Sequence, residues 1–245
     1  MSTAFDDVRV GSQVTSPAVH LGSATNAGQL GALASLLESV RPCPDAELVE
    51  LTWTHRGLPA GLAHLVATVT RCGPDRDAGA ARIVQDLRLV DGAGDEAHQA
   101  RARWRVYGVA VSDDPARTAY EFGSVAWGRR VGERVAKNAA FRSTTTPFDG
   151  AIGFSAGPDE VSFRIYRGEI VEVARKAVDG PTFTIDAAEL TWLQLLTAPT
   201  NDFVRRTMTG GFKVRGNGFQ YVRMIKAVML IIDAARAELA EALDA

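Results

Sequence analysis

The chain has 245 residues, 46 % of them hydrophobic and 23 % charged, an ordinary globular composition that excludes disorder over most of its length. Its 27 Lys and Arg against 29 Asp and Glu leave a formal net charge of -2, so no chain-wide basic excess favours nucleic acid as a partner.

Residues 8–19 read as a short extended segment broken by Gly11 and Pro17. From Ser23 the pattern turns helical: Leu30, Leu33, Leu36, Leu37 and Val40 recur at helical spacing, Ser23, Thr25 or Asn26 can cap, and Pro42 with Pro44 stops the run. Four β-type runs follow at 48–55, 62–72, 80–90 and 100–111, the first with Val49, Leu51, Trp53 and His55 on one face. Gly57 with Pro59, Gly73-Pro74 through Gly79, and the stretch 91–95 supply turns between them, so the spacing predicts an antiparallel meander of consecutive strands. The polar, proline-containing stretch 113–120 reads as a linker between domains at 1–112 and 121–245.

Beyond it, 122–141 predicts one helix, with Val125, Val131, Val135 and Ala139 inward and Arg129, Arg130, Glu133, Arg134 and Lys137 outward. Short strands are expected at 149–154, 160–166, 169–173 and 182–185, then a helix at 187–197 around Trp192 and a shorter one near 204–208. A strand at 212–216 leads to a terminal helix at 221–243, apolar along Ile225, Val228, Met229, Ile232 and Leu239. The most apolar stretch, 227–235, is interrupted by Asp233 and far shorter than the roughly 20 residues that cross a bilayer, so no membrane span is expected. Asp6 and Asp7 stand where a secretory signal would be apolar, and Cys43 and Cys72 alone can build neither a disulfide framework nor a CxxC zinc site; a soluble cytoplasmic protein is expected.

In element order, residues 5–112 resemble the hotdog fold of acyl-thioester enzymes, in which a curved antiparallel sheet wraps a central helix. Gln29-Leu30-Gly31 occupies the place of the His-Gly-Gly of phenylacetate-type thioesterases, without the histidine and one glycine, and Glu38 stands where those enzymes carry a helix carboxylate. The Asp and His pair of MaoC-type hydratases has no counterpart between Ser23 and Ser35. The second half resembles the sterol carrier protein 2 family of lipid-binding domains through 149–154, the hairpin 161–168, the segment 182–185 with Trp192-Leu193 after it, and 208–216. This second resemblance implies a sheet covered by helices, with an apolar tunnel for acyl chains, sterols or other elongated hydrophobic molecules. The expected class is therefore α+β, with a hotdog-like domain followed by a sterol-carrier-like one.

Glu38 lies on the most apolar helix of the first half. Buried there, it would have a raised pKa and serve as a general acid or base; beside Arg41 at the helix end, it reads equally as a solvated, paired carboxylate. His20 is the second acid–base candidate because it stands just before that helix; none of the four histidines, His20, His55, His64 and His98, has a carboxylate nearby in sequence to form a recognisable dyad. Asn26, Gln29 and Gly31 near the helix start can orient a thioester carbonyl through amides and backbone N–H groups, and Asn26 reads also as a simple cap. In the second half, Trp192, Leu196, Phe203, Met208, Phe212, Met224 and Met229 either line an adaptable apolar cavity or make an ordinary core.

No GxSxG elbow or GxxxxGK loop occurs, and Gly216-Asn217-Gly218 is too short for a dinucleotide fingerprint; neither cofactor nor metal is expected. The expectation is an enzyme acting on a hydrophobic acyl or polyketide thioester-derived substrate by thioesterase-type hydrolysis or a related acid/base step. By resemblance it works as a homodimer, with the second domain holding the apolar chain. The alternatives are a non-catalytic carrier of lipid or sterol-like ligands, and a cyclase or isomerase of specialised metabolism.

Overall fold

The computed structural model describes residues 4–21, 26–54, 61–75, 79–109, 122–157, 159–175, 177 and 180–243. The chain divides into two compact units, Met1–Asp113 and Asp114–Ala245. The stretch read as a linker, 113–120, lies outside the described residues.

The first unit opens with a 3-10 turn at Ala4–Asp7 and continues through β1 (Gln13–Thr15), β2 (Val19–Leu21), α1 (Asn26–Ser39), β3 (Glu47–Thr54), β4 (Gly61–Asp75), β5 (Ala80–Asp91) and β6 (Glu96–Val106). All pairings are antiparallel, in the order β1-β4-β5-β6-β3, with β2 also on β4. Alternation on β5 sends Ile83, Gln85, Leu87 and Leu89 to one fully buried face. That face holds the end of α1, because Gln85 donates from Nε2 to the Val40 carbonyl at 3.1 Å and accepts from Trp104 Nε1 at 2.8 Å. Along α1, Leu36 and Val40 are buried and Leu33 and Leu37 half-buried, which is the stripe that the leucine spacing predicts.

The expected meander requires correction. β3 does not pair with its successor β4 but crosses to the far edge and pairs with β6, with a bulge between Leu48 and Glu50. The edge of β4 that a meander would offer it is already taken by β1 and β2. The turn expected at Gly57 and Pro59 lies outside the described residues.

The second unit runs α2 (Val125–Ala136), α3 (Ala139–Thr145), β7 (Asp149–Ala156), β8 (Asp159–Tyr166), β9 (Glu169–Ala174), β10 (Phe183–Ala187), α4 (Glu189–Leu196), α5 (Phe203–Met208), β11 (Lys213–Gly216) and α6 (Gly218–Leu243). Its sheet has the order β11-β10-β7-β8-β9 and is mixed, since β10 runs parallel to β7. The single helix expected over 122–141 is two helices. Asn138 leaves the helical region at φ -82° and ψ 115°, and its Oδ1 accepts from the N–H groups of Ala140 and Phe141, capping a new helix where the old one ends.

Helix α2 lies close against β8 and β9 at Gly128, where an added Cβ would stand 2.7 Å from Val161 Cγ2 and 2.8 Å from Val173 Cγ1. Its outer side is tied to α6 by Arg130 and Arg134, which both reach Glu238, at 3.0 and 2.5 Å. The class is thus α+β in two units, an antiparallel sheet bearing α1 and a mixed sheet covered by helices.

Candidate functional site

Helix α4 places Trp192, Leu195 and Leu196 on its buried side, three and four residues apart. The Trp192 indole N–H donates to the Ser155 carbonyl of β7 at 2.8 Å, which fixes the ring over the sheet. Phe122 stacks on that ring at 4.4 Å and 26°, and Phe212 meets it edge-on at 4.6 Å. Phe203 continues the row at 5.1 Å from Phe212, while Phe154 closes it from beneath at 5.8 Å from Trp192. Met224 of α6 is buried in the same cluster, and Met229 packs against it half-buried. Six of the seven residues expected to gather in this half therefore do: Trp192, Leu196, Phe203, Phe212, Met224 and Met229.

Met208 does not, being 84 % exposed. It lies five residues after Phe203 on α5, about 140° around the helix, so one of the two must face water when the other is buried. Phe122 and Phe154 are members that sequence reading passed over as site residues. Their aromaticity was visible, but their convergence on Trp192 depends on β7 lying against α4 and on the chain entering α2 beside it.

Two clefts open elsewhere on this unit. One of about 430 Å³ is bounded by Asp149, Arg164, Glu172 and Thr182, and one of about 520 Å³ by Arg130, Glu133, Arg134, Lys137 and Glu238. Both have charged walls crossed by ion pairs: Arg164 meets Asp149 at 2.5 Å in the first, and Glu238 takes Arg130 and Arg134 in the second. Burial pushes the Glu238 carboxyl up, but hydrogen bonds from Arg134 and Arg130 outweigh it and hold the group below its ordinary range.

In the first unit, Glu38 is 62 % exposed and paired with Arg41 at 2.6 Å. The buried acid or base considered for it is not what the single chain presents, because Glu38 points away from the Leu36 and Val40 stripe. His20 is exposed on β2, opposite Leu62 of β4. No hydrogen bond or ion pair among the described residues joins it to Glu38. Asn26 opens α1 and Gln29 lies in its first turn, but their side chains, and with them the capping and carbonyl-binding roles, lie outside the described residues. Gly31 is exposed, with nothing within 4 Å of the place a Cβ would take.

Among the described residues no group of three His, Cys, Asp or Glu side chains is placed to hold a metal ion, and no helix is long and apolar enough to cross a membrane. Cys43 and Cys72 are buried and form no disulfide; burial pushes the Cys43 thiol up, away from the thiolate a nucleophile needs.

No protein-family model matches this sequence, and no curated protein matches it. Solved structures resemble each half separately. A crystal structure of sterol carrier protein 2 is similar at 19 % identity and a TM-score of 0.40, over 47 % of this chain and 98 % of its own. A MaoC-like dehydratase from Rhodospirillum rubrum is similar at 12 % identity and a TM-score of 0.36, over 43 % of this chain and 97 % of its own. A mutant thioesterase from Pseudomonas aeruginosa is similar at 25 % identity and a TM-score of 0.31, over 38 % of this chain and 73 % of its own.

Proposed function

We propose that this chain binds a hydrophobic acyl-type ligand, and that the second unit holds the apolar chain. The observation that carries this reading is the aromatic and thioether cluster of Trp192, Phe203, Phe212 and Met224, supplied in part by α4 and α5 themselves. Those helices have eight and six residues. Helices so short do not persist alone in water, so packing against the cluster is what holds them in place. An acyl chain laid along the same aromatic faces replaces that packing with equivalent apolar burial, which lets the cover move aside at small net cost.

Titration of the purified protein with a dansyl-labelled long-chain fatty acid, displaced by unlabelled acyl chains, tests the reading. Saturable one-to-one binding is expected, and Phe212→Ala should weaken it about tenfold, the effect of losing one aromatic contact worth ~1.4 kcal/mol. Fluorescence that rises without saturating, or that Phe212→Ala leaves unaltered, would refute the assignment.

Acyl-thioester chemistry in the first unit is the second reading. The observation in its favour is the accessible Glu38 carboxylate at the end of a helix seated on an antiparallel sheet, with Arg41 beside it. Acyl and polyketide thioesters, presented on coenzyme A or a carrier protein, are the substrate class. Free thiol release from acyl-coenzyme A, abolished by Glu38→Ala or His20→Ala, assigns the reaction to that residue. Wild-type protein that binds the acyl chain and releases no thiol is a carrier.

The same reading includes a cytoplasmic homodimer, for which two cysteines outside any disulfide suit a reducing compartment. Strand β3 is a sheet edge, and Leu48, Val49 and Leu51 are exposed on it, a row of unpaired backbone groups with apolar side chains that a second copy can cover. Sedimentation velocity should show a dimer that Leu51→Arg converts to monomer; a wild-type monomer at micromolar concentration removes the homodimer from the reading.

A further inference from the structure

The surface where α5 gives way to α6 carries large apolar side chains in water. Met208 is 84 % exposed, Phe219 71 % and Val222 66 %, and the last two lie three residues apart on one face of α6. The two helices approach each other beside this face, where Thr207 lies near the Tyr221 hydroxyl and Tyr221 packs edge-on against Phe183 at 5.7 Å. Exposed apolar residues scattered singly need no explanation, whereas two on one helix face with a third at the end of an adjoining helix do.

Charge is segregated along the same stretch of chain. From Phe203 to Lys226 the sequence has six cations, Arg205, Arg206, Lys213, Arg215, Arg223 and Lys226, and no acidic residue. Asp202 engages Arg205 and Arg206, and Asp186 lies 3.5 Å from Arg215. Lys213, Arg223 and Lys226 are exposed and make no ion pair among the described residues; Arg223 lies over the Phe219 ring at 5.7 Å. The first turn of α6 has no acidic side chain, and the acids of the helix, beginning at Asp233, fall in its second half. This is the reverse of what the helix dipole favours, so the arrangement does not serve helix stability.

We propose that Met208, Phe219 and Val222, rimmed by Lys213, Arg223 and Lys226, form a docking surface for an anionic phospholipid bilayer. The cations meet the headgroup charge, and the apolar tips enter the boundary between headgroups and acyl chains, as amphipathic surface helices do. Charge complementarity alone would also suit an acidic protein, but it leaves the three protruding apolar side chains without a counterpart. A bilayer supplies both layers in the same order. The surface goes beyond ligand capture: its residues are outside the buried cluster, and it stands whether or not the second unit carries an acyl chain.

Co-sedimentation of the full chain with sucrose-loaded vesicles, phosphatidylcholine alone against phosphatidylcholine with phosphatidylserine, tests the proposal. Binding is expected only with phosphatidylserine present. Combined Lys213→Glu, Arg223→Glu and Lys226→Glu should weaken it about fivefold or more per cation. Combined Met208→Ser, Phe219→Ser and Val222→Ser should weaken it at least about tenfold. All six side chains are exposed, so circular dichroism and thermal midpoints should match wild type, and displacement of a dansyl fatty acid in solution should be unaltered. That last readout separates failure of the docking surface from failure of ligand binding. Wild-type protein that stays in the supernatant, or that binds both vesicle types equally, would overturn the proposal. So would binding that the charge reversals remove and the serine substitutions leave intact, the pattern of an electrostatic surface for an acidic protein.

Discussion

Trp192→Ala is expected to destabilise the second unit by about 4 kcal/mol, the scale of emptying a buried tryptophan site in a close-packed core. Trp192 is almost fully buried and contacts three other rings, with Phe122 at 4.4 Å, Phe212 at 4.6 Å and Phe154 at 5.8 Å. Alanine removes each aromatic pair and the hydrogen bond to the Ser155 carbonyl, which ties α4 to β7. Trp192→Phe separates these contributions, because it keeps an apolar ring and deletes the N–H donor; its expected cost is about 1 to 2 kcal/mol. Urea unfolding followed by far-ultraviolet circular dichroism measures both. A loss below about 1 kcal/mol for alanine would mean that the cluster is loosely packed, and that an acyl chain could enter without displacing it.

Much of this arrangement was legible in the sequence wherever one periodicity governed one element. Leu33, Leu36, Leu37 and Val40 marked the inner stripe of α1, and Trp192 with Leu196 marked that of α4, because helical spacing alone determines which residues share a face. Pairing between distant strands was not legible. The crossing of β3 to the edge of β6 follows from β1 and β2 occupying β4, a competition that no local pattern records. Asn138 was a visible cap type inside a continuous apolar pattern, and the pattern prevailed in the reading although the cap prevails in the fold. Gln85 is a polar residue within a β-type run, and its place as the buried link between Val40 and Trp104 depends on which strand and which helix end meet it. For the candidate site, residue type marked the aromatic and thioether members of the cluster but could not show the exposure of Met208, since α5 is too short for periodicity to fix its phase. Glu38 could be read either as buried or as paired with Arg41, and the pairing with water access is what the helix end allows.

The tie between Glu238 and the two arginines of α2 is the clearest case of a feature that sequence spacing hides, since the partners are 108 and 104 residues apart. Glu238→Gln is expected to destabilise the second unit at neutral pH by about 2 to 3 kcal/mol. The figure lies below the usual range for breaking a buried pair because both arginines remain about one-third exposed and regain water. The loss should depend on pH with a definite sign. Glu238 is held below its ordinary pKa in the folded protein, so its ionised form contributes stability that is fully present above the unfolded value of about 4.3 and disappears as pH falls through the lower folded value. Wild type should therefore lose this contribution in acid, whereas the glutamine variant has none to lose. Asp202, held low by Arg206 and Arg205, titrates in the same direction in both proteins and cancels in the comparison. The gap in unfolding free energy between wild type and variant, measured by urea denaturation, should be largest near pH 7 and shrink progressively below about pH 4. A gap that stays constant from neutral pH to pH 3 would show that glutamine is destabilising through its geometry, and that the carboxylate charge does not bind α2 to α6.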